Sequence, residues 1–420
     1  MKRSDQLAEE HIELSRRYFL SLGAAGTLGL VASPLSAKGA ARDALLEKLV
    51  GELEYLTPPL EFRSVERGKP LPYKLPLEKR REVGLERDTW KLEVIPDAET
   101  PAAVDNPLTI EGGNAFTFAD LMELGKQRVV RFLKIMTCNN IGQPLGMGLW
   151  EGVPLRDVIW RAQPVRRVRR VFYYGYHNDD PDQMFRSSLP IGRILEDPPG
   201  WHPVILAYKL NGDFIPGVRG GPVRVIVPET YGFKSIKWLT HVVLTDLYHA
   251  NDTYATESAN DVDSIMKTFA RFLHRPESVP AEKPIPLTGM AQVGMSGLEK
   301  VQYWLRPAGA KHPEDDPYFA RAPWKDAEIL APPENWGGGL PDGKLPVGVR
   351  GFDPKSRKPR IWPMRYAMAH WAALLDPLPA GKYEVRCRTV DANGIGQPMP
   401  RPFRKSGRNA IQVLPLKVEG

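Results

Sequence analysis

The sequence predicts an α+β chain rich in β-structure, with a mixed region first and an all-β sandwich after it. Three observations lead there. The 41 prolines and 37 glycines among 420 residues cut the chain into short pieces and leave no room for long helices. The apolar runs are short and β-branched. The texture changes across a break at 251–284.

Taken in chain order, residues 1–40 stand apart from the fold. Ser15-Arg16-Arg17-Tyr18-Phe19-Leu20 introduces an uncharged Ala/Gly/Leu-rich stretch diluted by Gly23, Gly26 and Gly29, the pattern of a twin-arginine export signal. It is shorter than the roughly 18 to 20 apolar residues that span a bilayer. The expected location is periplasmic or otherwise exported, with the signal either cleaved or kept as an N-terminal anchor. Folded export implies a cofactor inserted beforehand.

Residues 55–255 read as the mixed domain, 256–283 as a connector and 284–415 as the sandwich. In the first, 121–125 and 155–162 read as helical, while 204–209, 223–227 and 241–245 read as buried strands. In the second, 301–305, 383–390 and 410–413 read as strands at sandwich-like spacing, and 311–344 as a long surface excursion. The run Arg166-Arg167-Val168-Arg169-Arg170 reads as a strand entrance with one solvated face. A net charge of +7, scattered along the chain, suits an anionic ligand and gives no sign of nucleic acid.

Two features carry chemistry. Cys138 ends the run Arg-Phe-Leu-Lys-Ile-Met-Thr-Cys-Asn-Asn, where an apolar strand delivers a thiol to a turn; the chain has two cysteines, and both are expected to be free. Such a thiol is a ligand or nucleophile candidate. Arg219, Arg224, Lys234 and Lys237 flank the apolar Val223–Val227 run and the turn at Gly232, and an unpaired Arg224 there would be costly, so the cluster calls for an anion such as phosphate. Zinc and haem motifs are missing, and Cys387 alternates with Val385 as a core residue would.

Together these segments resemble the sulfite oxidase family of molybdenum enzymes, over most of the chain after the signal. Thr57-Pro58, Cys138, Trp150-Glu151-Gly152-Val153-Pro154-Leu155, Ser188-Leu189-Pro190, Ala207-Tyr208-Lys209-Leu210-Asn211-Gly212, and the run from Gly220-x-Pro222-x-Arg224 to Ile236-Lys237-Trp238 occur in the family's order. Thr288-Gly289-Met290-Ala291 and Asp391-Ala392-Asn393-Gly394 are similar to its immunoglobulin-like dimerisation domain, and Asn409-Ala410-Ile411-Gln412 to the bacterial sulfane dehydrogenase branch.

The resemblance implies a molybdenum-molybdopterin cofactor with Cys138 on the metal. Arg224, Lys234, Ser235, Ile236 and Lys237 would hold the pterin phosphate, and Asp180 would sit at the pterin edge. Arg219 replaces a family histidine, keeping charge but not proton handling. Arg186 and Tyr254 would serve the substrate. The family's Cys-Ala-Gly-Asn-Arg becomes Cys138-Asn139-Asn140-Ile141-Gly142, and Phe62-Arg63-Ser64 is a faint echo of its upstream Arg-Asn-His.

The implied partners are a small anionic substrate, a separate cytochrome c-type electron acceptor and a second copy of the chain. The implied reaction is oxygen-atom transfer to a sulfur-centred anion, sulfite or sulfane sulfur. A reductase of a sulfoxide-like substrate, or an altered binding protein using the sandwich, stands beside it.

Overall fold

The computed structural model describes residues 44–250, 252–253 and 261–420. The export segment and Tyr254 lie outside them. No described helix is long and apolar enough to cross a membrane.

Two sheets enclose the first core. One runs Phe116–Thr117, Lys91–Pro96, Leu239–Thr245, Arg170–Gly175 and Arg186–Pro190, with the Lys91–Pro96 and Leu239–Thr245 pair parallel. The other runs Asp213–Phe214, Ile205–Leu210, Gly146–Pro154 and Val130–Met136, with Arg224–Ile226 also pairing to Ile205–Leu210. Leu92, Val94, Val225, Val242 and Tyr173 fill the space between them. The helix Phe118–Arg128 seals one side. Thr117 and Asp120 cap its start reciprocally, and Gly125 lets it close on the Tyr208 hydroxyl, where a Cβ would stand 2.9 Å away.

The strand Val130–Met136 serves two cores because alternate residues point to opposite faces. Phe132 and Met136 pack with Phe62, Trp150 and Ile226. Leu133 and Ile135 face Tyr55, Trp336, Val349 and Tyr366. Lys134 shares the Phe132 face, fully buried, and its Nζ donates to Pro228 O and Thr230 O, each at 2.8 Å.

The later residues form an eight-stranded sandwich. One layer is Phe269–Phe272, Ile285–Gln292 and Met368–Leu375; the other is Lys300–Pro307, Gly381–Val390, Gln412–Glu419 and Ser278–Pro280. Lys325–Ile329 pairs with both layers and joins them along one edge. Phe272, Leu287, Trp371, Val385, Cys387 and Leu416 fill the interior.

Two sequence expectations need adjustment. The segment 311–344 is not all surface excursion: Lys325–Ile329 is a strand, and Trp336 and Leu340 are buried. The strand has no fully buried residue, so it leaves no apolar alternation to read. The final strand begins at Gln412, and its alternation runs through Leu414, Leu416 and Val418.

Candidate functional site

Cys138 emerges two residues beyond the strand Val130–Met136, at the wall of a pocket enclosing about 1250 Å³, part of it open to solvent. The thiol is free and half-buried. Burial pushes its pKa up, while the backbone N–H groups of Asn139 and Asn140 and the charges of Arg67 and Lys237 pull it down. Gly232 and Phe233 of the turn Gly232–Lys234 also line the pocket, the turn being locked to the thiol's loop by Gly232 N–H donating to Thr137 O at 2.6 Å.

Three cations face this space with their hydrogen bonds committed to backbone carbonyls. Arg224 is 4% exposed and donates to Arg219 O at 2.6 Å and Ser235 O at 2.7 Å; its Nε is buried without a partner. Arg219 donates to Pro59 O and Leu60 O, at 2.8 and 3.0 Å, and Lys237 Nζ to Val65 O at 3.2 Å. None of the three forms an ion pair with a carboxylate among the described residues.

That excess of positive charge is visible in acidity. Burial, reinforced by Arg219, lowers Arg224 to about 9; burial, with Arg224, Arg219 and Arg67, lowers Lys237 to about 7. A bound anion would relieve both. Trp150 backs the pocket, with the Arg224 guanidinium 5.3 Å from its ring centre.

Cys138, Arg219, Arg224, Ser235, Ile236 and Lys237 therefore meet in one pocket, as a metal and phosphate site requires. Lys234 does not line it. Its ammonium turns inward to Asp252 Oδ2 at 2.6 Å and Ser188 O at 2.8 Å. Asp180 does not line it either: it caps the turn Pro181–Gln183 and accepts from Gln183 Nε2 at 2.8 Å. Gln183 is the one that reaches the pocket.

Arg186 stays outside, on the strand Arg186–Pro190, with its guanidinium 5.4 Å from the Phe172 ring. Tyr254 is beyond the described residues. Sequence reasoning passed over Arg67, His177, Gln183 and Lys405, all on the pocket wall. Arg67 lies close after the Phe62-Arg63-Ser64 echo, and His177 just before the turn at Asn178-Asp179-Asp180. Lys405 had no local signal, because it arrives from the sandwich end of the chain.

Comparison with known proteins agrees with this geometry. Residues 81–253 match the oxidoreductase molybdopterin binding domain. The chain is 29% identical over 176 residues to the mitochondrial sulfite oxidase of Drosophila melanogaster, covering 39% of this chain and 30% of that protein. It is 31% identical over 132 residues to the NADPH nitrate reductase of Fusarium oxysporum, covering 30% and 14%. The chain thus spans less than a third of the length of these curated relatives. The crystal structure of the sulfane dehydrogenase SoxCD from Paracoccus pantotrophus shares the fold across 92% of this chain and 95% of that one, with a TM-score of 0.55 at 16% identity.

The residues present fit molybdopterin. A thiol is available to a soft metal, and three cations with an unpartnered buried guanidinium N–H await an anionic tail. Among the described residues no group of three or more His, Cys, Asp or Glu could hold a metal. Residues 81–253 thus form a molybdopterin-binding oxidoreductase domain, and the chain is similar to sulfite oxidase over 176 residues.

Proposed function

We propose that the chain is an exported oxidoreductase that exchanges an oxygen atom between water and a small sulfur-centred anion, passing electrons in pairs to a separate cytochrome c-type acceptor. The observation that carries this is one thiol, Cys138, sharing a pocket with Arg219, Arg224 and Lys237. When bound, the molybdenum centre supplies the two-electron chemistry. With sulfite, sulfite and water give sulfate, two protons and two electrons.

The chain's own residues bind and orient. Cys138 supplies a thiolate ligand. Arg224, Lys237 and the Ser235 turn hold the cofactor's phosphate, and Trp150, Phe62 and Phe185 keep the wall dry. Arg67 and Lys405, on the same wall, lower the cost of bringing in a second anion.

The substrate class draws support from relatives named sulfite oxidase and sulfane dehydrogenase. Relatives named nitrate reductase support the second reading, reduction of an oxidised substrate. Export draws support from the Arg16-Arg17 pair, and pairing of two copies from the family-like sandwich over 284–415.

Elemental analysis of purified protein should give one molybdenum per chain. Turnover should follow sulfite or thiosulfate-derived substrates with ferricyanide as acceptor, and not sulfoxides or nitrate with reduced viologen. Molybdenum-loaded protein active only in the reducing direction would install the second reading.

A further inference from the structure

The loop that carries the thiol is held by a turn from the far end of the chain. Asn139, next to Cys138, is 6% exposed. Its carbonyl accepts from Gly407 N–H at 2.9 Å, and its side-chain amide donates to Lys405 O at 3.4 Å. Gly407 has a φ of +90°, and a Cβ there would overlap the Tyr231 hydroxyl. Tyr231 leads directly into the turn Gly232–Lys234. One glycine therefore contacts both Asn139, beside the thiol, and the side chain of Tyr231, the residue preceding that turn.

The turn is itself pinned. Lys267, 4% exposed, donates from Nζ to Gly407 O at 3.2 Å and Ser406 Oγ at 3.3 Å, while its backbone N–H donates to the Tyr231 hydroxyl at 3.3 Å. Arg401 donates to Asp261 and to Ile265 O at 2.9 Å, and Asp261 N–H returns to Lys405 O at 3.0 Å. Burying an ammonium without a direct ion pair is costly, and burial with the Arg401 charge, opposed by Asp261, lowers Lys267 to about 8.

We propose that Lys267, Gly407 and Asn139 form a positioning clamp through which the 401–407 turn sets the Cys138 thiol against the cation-bearing wall. The run Cys138-Asn139-Asn140-Ile141-Gly142 has little local stiffness of its own. The clamp replaces local stiffness with a long-range tie. It rests on reading Cys138 as the metal's thiolate, and its test is chosen so that the two ideas fail separately.

The test is alkylation by iodoacetamide of the full chain purified without cofactor, following each cysteine peptide by mass spectrometry. Cys387, with no exposed surface, is the internal control for global opening. Lys267→Met should speed alkylation of Cys138 by about tenfold, the scale of losing one or two hydrogen bonds to a charged group, with Cys387 as protected as in the wild type. Lys267→Arg should restore the slow rate. Gly407→Ala should act as Lys267→Met does.

A Cys138 rate within about twofold of wild type in Lys267→Met would overturn the clamp, given the energies such hydrogen bonds carry. Both thiols accelerating together would also overturn it, since the role would then be global stability. A chain that passes this test yet takes up no molybdenum leaves the clamp standing and removes the cofactor reading.

Discussion

Lys234 and Asp252 form an ion pair sealed from solvent, Nζ to Oδ2 at 2.6 Å with side chains 2% and 0% exposed. Asp252 also accepts from the hydroxyls of Ser187 and Ser188. The pair ties the turn Gly232–Lys234 to the strand Arg186–Pro190. A lysine in a basic run thus acts as a strut, and the charges of that run left for an anion are Arg219, Arg224 and Lys237.

Breaking that strut should cost stability rather than charge. Asp252→Ala leaves an ammonium buried alone and should lower the unfolding free energy by about 3–5 kcal/mol in a denaturant titration. Lys234→Met with Asp252→Leu should recover much of the loss. If Asp252→Ala unfolds like wild type but loses anion affinity, Lys234 was serving the pocket after all.

Cys138→Ser should abolish molybdenum retention while moving the melting temperature little, because the thiol is half-exposed at a loop. Cys387→Ser should do the reverse. It puts a hydroxyl into a sealed apolar core and should cost about 1–3 kcal/mol, with molybdenum per folded chain unchanged. Elemental analysis and thermal unfolding of the two variants distinguish these roles.

Lys237, lowered to about 7 chiefly by burial, makes anion binding depend on pH. An unfolded lysine stays protonated to about pH 10.4, so between pH 7 and 10 the unfolded chain holds more protons and the anion-free fold gains stability as pH rises. Below pH 7 the charged Lys237 is strained and takes an anion most strongly. Sulfate should therefore raise the melting temperature of cofactor-free protein more at pH 6 than at pH 8.5. Lys237→Gln should flatten that difference, and an equal sulfate shift at both pH values would reject it.

His202 and His370 are buried and lowered to about 4, mainly by burial. Their folded pKa lies below the unfolded value, so the stability they contribute is present above pH 6.5 and lost as pH falls through 4. Each accounts for about 3 kcal/mol across that window. His370→Phe keeps a ring against Tyr55, whose centre lies 4.3 Å away in an edge-to-face contact, and should shift the acid-unfolding midpoint downward.

Much of the pocket was legible because its pieces sit in two short segments. Strand alternation delivers Cys138 at the end of Val130–Met136, and the glycine-bearing turn returns Ser235 and Lys237 beside Arg224. Local pattern could not tell which lysine of the turn points inward, since a single residue's rotation separates Lys234 from the pocket. Arg186 and Asp180 were drawn in by nearby motifs, yet the sheet register sets Arg186 opposite Tyr174, and Asp180 spends its carboxylate on a cap. Lys405 and the strand Lys325–Ile329 owe their places to partners distant in sequence.

The contact between Asn139 and Lys405 spans 266 residues. A ribosome finishes the Cys138 loop long before it makes the segment that holds it. That side of the pocket therefore closes late in biogenesis, after nearly everything between those positions has been synthesised.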